Sequence, residues 1–314
     1  MNKVERVKAV FRGEKPDKIP AGFWFHYPYE MPAKEMAEEH LKLFRYTDMD
    51  VMKIMQDFNY TVNLQIQTPE DWYRLKLDGT NSAVFRKQAE VIKRIVDGIG
   101  GEALVFQTVY NPFATTEAAT NREMLMDHAK NAPDALAAGV SQLAEVLEEW
   151  VNAYLDLGVD GIYFSAQYGE VGRFNEEEWN KLARPYDLKI MQAVANRGKY
   201  NFLHICGLPK YQFKADLPRF ADYPGEIVNW SVKDTGVTLK EGQKLFKRPV
   251  MGGLNNKGNI LSGDDASIIE EVNQTIRSFG STSMMIGADC TIQGQGISLD
   301  RIRTAVKAAH DYVE

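Results

Sequence analysis

The sequence predicts one α/β domain over residues 1–314, a TIM (β/α)8 barrel, and three observations carry that prediction. Eight short apolar runs of strand length recur along the 314 residues, and helical patterns separate most of them. The length lies somewhat above the roughly 250 residues such a barrel needs. No Gly-x-Gly-x-x-Gly fingerprint or Walker phosphate loop is present, which leaves a dinucleotide-binding sheet the weaker choice.

The elements follow in order. Residues 2–12 place Val4, Val7, Val10 and Phe11 on one helical face, and Gly13 stops the helix. Residues 18–25 form the first strand and run into the aromatic loop His26-Tyr27-Pro28-Tyr29. A helix over 31–45 leads to the second strand, 50–55, followed by Asp57. Residues 57–100 exceed a usual connection; a turn at Asp78-Gly79 and a helix over 83–97 make them an extended loop region at the barrel mouth. The third strand, 103–109, ends in Tyr110-Asn111-Pro112. Leu136, Val140, Leu143, Leu147, Val151 and Leu155 then recur every three or four residues, as one face of a long helix closed by Gly158. Residues 159–165 are the fourth strand, with Gln167 and Tyr168 beyond it. A helix from about Asn175 is broken at Pro185. The fifth strand lies in 199–207 and is stopped by Gly207 and Pro209. Residues 226–230 are the sixth, and Thr238 with Glu241 forms a capping box. Residues 249–253 are the seventh, with Asn255 and Asn256 after it, and 264–279 are helical. Residues 283–288 are the eighth strand, and Ser298 caps the last helix.

Composition excludes several classes. A net charge of −6 argues against a general nucleic-acid binder. No run of about 18 apolar residues suggests a membrane span, and the first residues lack an apolar signal core. Two cysteines in this length make no disulfide framework, so a reducing cytoplasm is the expected location.

Those two cysteines matter for another reason. His204 and Cys206 are two apart on one strand, so their side chains share a face. Cys290 follows the last strand at the start of a polar, Gly-rich loop. In a barrel the carboxyl ends of all strands face one mouth. His204, Cys206 and Cys290 then supply three metal ligands and leave a fourth position open, as catalytic zinc requires. The bland alternative is a buried histidine with two thiols kept for packing. Two thiolates mute the acidity of zinc, which suits it to holding a substrate thiol as a nucleophile better than to activating water. Other polar side chains reach the same strand ends: His26, Asp57, Asn111, Gln167, Asn229 and Asn255.

The sequence resembles the uroporphyrinogen decarboxylase superfamily. The likeness is carried by Arg6-Val7-Lys8-Ala9, the segment from Arg12 to Pro20, the Asp160-Gly161-Ile162 strand with Pro185-Tyr186 downstream, and the strand at His204. Within it, His204-Ile205-Cys206-Gly207 and the late Cys290 look like the zinc motif of the methylcobamide methyltransferase branch. The resemblance implies methyl transfer from a corrinoid protein to a thiol such as coenzyme M, or to tetrahydrofolate. No Asp-x-His-x-x-Gly cobalamin-attachment pattern occurs, so a partner protein would bring the methylcorrinoid. The decarboxylases carry an arginine-rich signature after the first strand; here no arginine occurs between Arg12 and Arg45, and a polyanionic tetrapyrrole lacks its clamp. Asp57 matches the decarboxylases' essential aspartate and is either a proton-handling group or a loop-capping carboxylate. Trp24, Phe25, Tyr27 and Tyr29 either line an apolar pocket or pack a lid.

The leading expectation is thus a zinc-dependent methyltransferase. His204, Cys206 and Cys290 hold the metal and Asp57 is the catalytic carboxylate. His26, Asn111, Gln167, Tyr168 and Asn255 contact substrate. Its partners are the corrinoid protein and a small-molecule methyl acceptor, with a homodimer as an allowed assembly. The rivals are a metal-independent decarboxylase using Asp57, a binding protein for corrinoid or tetrapyrrole without turnover, and a zinc hydrolase, which the two-thiolate ligand set disfavours.

Overall fold

The computed structural model describes residues 1–58, 60–207, 214–292 and 297–313. Eight parallel strands form one sheet in the order β1-β8-β7-β6-β5-β4-β3-β2. They are β1 (Ala21–Gly22), β2 (Val51–Ile54), β3 (Leu104–Tyr110), β4 (Gly161–Ala166), β5 (Tyr200–Ile205), β6 (Ile227–Trp230), β7 (Val250–Leu254) and β8 (Met284–Ala288). Helices alternate with them, so this is the expected TIM barrel. Among the described residues no helix is long and apolar enough to cross a membrane.

Alternation along the strands divides the core in two. Met52, Ile54, Val105, Ile162, Phe164, Leu203, Ile205 and Val228 pack outward under the helices. Val51, Met55, Leu104, Phe106, Tyr163, Phe202, Ile227, Met251 and Met285 fill the barrel interior. Val7 and Val10 of the first helix (Lys3–Phe11) join that inner layer, so the amino-terminal helix plugs the floor. Gly161 is required where β4 meets β5, because a Cβ there would sit 2.0 Å from the Tyr200 carbonyl oxygen.

β1 and β2 share no ladder, and a side chain closes that seam. The Asp50 amide donates to Ala21 O at 2.9 Å, and the Ala21 amide donates to Asp50 Oδ2 at 2.8 Å. Arg6 Nη1 meets Asp50 Oδ1 at 2.5 Å, and His310 Nε2 lies 2.8 Å from Oδ2. One buried carboxylate therefore ties the first helix, both seam strands and the last helix (Leu299–His310) together.

Some boundaries differ from expectation. The first strand is two residues long, not eight, because Pro20 has no amide to give and Asp50 takes over the pairing. A 3-10 turn (Pro69–Arg74) stands within the extended loop, and helices Pro112–Thr115 and Arg122–Asn131 precede the long helix Pro133–Asp156. The second of these buries Leu125, His128 and Ala129, too few apolar residues to show a period. The break expected at Pro185 falls at Ala183, where φ −130° and ψ −61° end one helix (Glu176–Leu182) before the next (Arg184–Asn196). The Ser298 cap and the capping box at Thr238 stand as expected, and Asn2, expected inside the first helix, caps it instead. Pro209, expected to stop β5, lies outside the described residues, as do 293–296 of the loop after Cys290.

Candidate functional site

His204 is inward by the same parity as Phe202, and its register partners are Ser165 on β4 and Asn229 on β6. Cys206 continues that face, its amide donating to Ala166 O at 2.9 Å. Cys290 is brought over by neighbours on both sides. The Asp289 amide donates to Leu254 O at 2.8 Å, and its Oδ2 accepts from the Lys233 amide at 2.9 Å and from Ser231 Oγ at 3.3 Å. Asn256 Nδ2 holds Thr291 O at 2.8 Å, and the Ile292 amide donates to Trp24 O at 3.1 Å. The ligand atoms of His204, Cys206 and Cys290 lie within 4.8 Å of one another. Cys290 Sγ is 3.5 Å from His204 Nε2, against a ligand-to-ligand edge of about 3.6 Å in a tetrahedral zinc site.

The imidazole is held in one tautomer. Asn229 Nδ2 donates to Met251 O at 2.9 Å and Ala288 O at 3.2 Å, which turns its Oδ1 toward the ring. His204 Nδ1 lies 2.5 Å from that oxygen, so it carries the proton and Nε2 keeps a lone pair aimed at the thiols. Tyr163 Oη donates to the same oxygen at 2.8 Å, and burial pushes its phenol well above the usual value, so it stays a donor. Hydrogen bonding from Cys206, with His204 alongside, holds Cys290 well below the ordinary thiol range, and Cys206 rises in consequence. Two sulfur ligand atoms and one imidazole lone pair match the donor set of a soft divalent cation.

These three residues open onto a cavity of about 440 Å³ in the barrel mouth, also lined by Trp24, Lys53, Thr108, Tyr163 and Ser165. His26, Tyr110 and Gln167 form the boundary with an outer cavity of about 640 Å³, lined by Asp57, Glu117 and Arg122 among others. Asp57 accepts from the Tyr27 amide at 3.0 Å and lies 2.5 Å from His26 Nδ1, with its carboxylate 3% exposed and the imidazole 55% exposed. It therefore both caps the loop and orients a histidine at the junction of the two cavities.

The remaining expected site residues differ in placement. Gln167 lines both cavities. Asn111 is buried and bonded to the Gln167 backbone in both directions at 3.2 Å, so it positions Gln167 from behind. Tyr168 is buried against Phe113, with its hydroxyl on Glu117 and Arg122. Asn255 Oδ1 accepts from the Lys257 amide, and its neighbour Asn256 is the one that reaches the Cys290 loop. Neither Asn111, Tyr168 nor Asn255 lines either cavity. Of the aromatic loop, Trp24 packs on Tyr163, Tyr27 packs on His40, and Tyr29 is exposed.

Lys53 is a residue that sequence reasoning missed. It is 7% exposed, and its Nζ lies 4.5 Å from the Trp24 ring centre and 4.2 Å from that of Tyr163. Burial pushes its ammonium down from 10.5 to about 7, while Cys290, Asp57 and Cys206 pull the other way. The signal was a lone lysine at the inward parity of Val51-Met52-Lys53-Ile54-Met55. Asn229 was seen at the mouth, but its hold on His204 needed the register of β5 against β6.

The fold and this cluster define a barrel protein with an imidazole and two thiols gathered at its carboxyl face. The chain belongs to the Uroporphyrinogen decarboxylase (URO-D) family, whose model matches residues 52–312. Among solved structures it is similar to a methyltransferase from Methanosarcina mazei, at 15% identity over 98% of each chain with a TM-score of 0.75. It is also similar to a B12-independent methionine synthase from Shewanella sp. W3-18-1, at 11% identity over 94% of this chain and 95% of that one, with a TM-score of 0.56. At these identities the likeness is one of fold. No curated protein sequence matches the chain.

Proposed function

We propose that this protein is a zinc-dependent methyltransferase, moving a methyl group from a methylated corrinoid brought by a partner protein to a small thiol of the coenzyme M kind or to tetrahydrofolate. The observation that carries the reading is the convergence of His204 Nε2, Cys206 Sγ and Cys290 Sγ, with the imidazole lone pair freed by Asn229. Membership of the URO-D family and a fold like that of a methyltransferase are consistent with it. His204, Cys206 and Cys290 would hold the metal. When bound, zinc with two thiolate ligands would keep an acceptor thiol deprotonated and nucleophilic at neutral pH. Asn229 fixes the ring that ligates. Trp24 and Tyr163 wall the inner cavity with packed rings. Asp57 orients His26 where the two cavities meet. The inner cavity carries no arginine among the described residues, which disfavours a polyanionic tetrapyrrole there.

Elemental analysis of gently purified protein tests the reading. About one zinc per chain is expected, falling below about a tenth in Cys206→Ser and Cys290→Ser, with chelator abolishing methyl transfer to a thiol. Less than about half an equivalent of zinc sinks it. Decarboxylation of a tetrapyrrole acid that ignores both chelator and Cys206→Ser would establish the metal-independent alternative. Asn229→Ala is expected to weaken zinc binding about 10- to 100-fold, because the ring loses the acceptor that sets its tautomer. Competition against a chromogenic chelator reads that shift, and an unchanged affinity would leave Asn229 a packing residue.

A further inference from the structure

Cys206 and Cys290 are the only cysteines of the chain, and the fold brings both to one cavity. Each is a free thiol, partly exposed to that space. Fully buried cysteines are inert, whereas a thiol open to a cavity reacts with small molecules that enter it. The inner cavity of about 440 Å³ meets the outer one at His26, Tyr110 and Gln167, so a small oxidant has a way in.

The spacing of the sulfurs suits a covalent bond as well as a metal. The two Sγ atoms lie within 4.8 Å of each other, against about 2.05 Å in a disulfide. One rotamer change swings a cysteine sulfur by roughly 3 Å, which spans the difference. Both residues stand past the end of a strand. Cys206 follows the last residue of β5 and precedes Gly207, and Cys290 stands two residues beyond β8. The contacts each sulfur would give up are weak. Cys206 Sγ reaches Gly207 O at 3.5 Å, and Cys290 Sγ lies 3.5 Å from His204 Nε2.

We propose that Cys206 and Cys290 close to a reversible disulfide on reaction with a hydroperoxide, and that this oxidised form has no place for a metal. The disulfide needs only the nearness of the two sulfurs, whereas the exclusion of metal rests on the function proposed above. With hydrogen peroxide, one thiol sulfur attacks a peroxide oxygen. The O–O bond breaks, water leaves and a sulfenic acid forms. The other sulfur attacks the sulfenic sulfur, the S–S bond forms and a second water leaves. Both thiol protons end in the two waters. The sulfurs together lose two electrons, and the peroxide gains them. A metal needs both sulfurs as thiolates, so disulfide and metal exclude one another. In a reducing compartment such a disulfide is transient and reports the oxidant. The barrel mouth thus registers peroxide by giving up its metal, and a thiol reductant restores it.

The test uses the full-length protein, divided into metal-free and zinc-loaded samples and treated with a small excess of hydrogen peroxide. Remaining thiols are blocked with iodoacetamide, and the chain is weighed intact and as tryptic peptides. In the metal-free sample both thiols are expected to disappear, with a loss of about 2 Da and a linked pair of peptides that holds Cys206 and Cys290. Dithiothreitol reverses all of this. Cys206→Ser and Cys290→Ser, folded by circular dichroism, each give a sulfenic acid that dimedone traps, and no link. Zinc loading slows the linkage about tenfold or more, and the linked chain takes up no zinc until it is reduced. Thiols that survive peroxide in the metal-free chain overturn the proposal, as do sulfinic or sulfonic acids without the link, or a link between two chains. Zinc held by the linked chain overturns the exclusion. A chain that binds no zinc yet forms the link keeps the disulfide and loses the metal reading; a zinc-binding chain whose metal-free form does not link does the reverse.

Discussion

Replacing Asp50 by Ala is expected to destabilise the protein by about 3–5 kcal/mol, the usual consequence of removing one partner of a buried ion pair. The carboxylate is 0% exposed and serves Arg6, the Ala21 amide and His310 at once. Its loss leaves the Arg6 guanidinium half-paired, orphans a buried backbone donor and opens the seam between β1 and β2, which has no other ladder. At roughly 2–3 °C per kcal/mol for a chain of this size, the melting temperature should fall by about 6–15 °C. Asp50→Asn, which keeps one acceptor and the shape, should recover part of the loss. Lys93→Ala, removing a solvent-exposed pair with Asp97, should leave the transition where it was. Because Asp50 precedes β2, at the floor, zinc content should not change. Scanning calorimetry decides the matter, and a fall of less than about 1 kcal/mol would show that the seam is closed by packing alone.

Lys53→Met is expected to act in the opposite direction and only on one side of a pH window. Burial lowers the ammonium from 10.5 to about 7 in the folded protein. Between those values the unfolded chain binds the proton and the folded one does not, so stability rises with pH through the window. Below about pH 7 the folded state bears the whole penalty, which at about 1.4 kcal/mol per unit is on the order of 4–5 kcal/mol. The methionine variant should therefore be more stable relative to wild type at pH 6 than at pH 10.5 by about 4–5 kcal/mol, with the gain shrinking through that window. Urea denaturation at matched metal content and several pH values measures the difference. A variant less stable than wild type at pH 6, or a difference flat with pH, would mean that the amine is solvated in the native state.

Much of the barrel was legible because strands and helices are written in local periods. The alternation of Phe202, His204 and Cys206 with Leu203 and Ile205 says which side chains share a face. The heptad-like run from Leu136 to Leu155 says where a helix covers the sheet. The first strand was misjudged because its apolar run, 18–25, is longer than the pairing that Pro20 and the Asp50 seam allow. The expected substrate residues Asn111 and Tyr168 were named for standing just past strand ends. Yet a residue one place further along points sideways, into Gln167 or toward Glu117, and not into the cavity.

Residue types and their periods alone therefore determined the eight-stranded barrel, the shared face of His204 and Cys206, and the mouth toward which Cys290 must return. Tertiary structure alone decided that Cys290 comes within 3.5 Å of His204, that Asn229 from another strand frees Nε2, and that Lys53 is enclosed by Trp24 and Tyr163. The reason is physical. Periodicity reports which way a side chain faces its own strand, whereas a hydrogen bond or an aromatic cage is made by register and stagger between strands distant in the chain, and no local pattern encodes that offset.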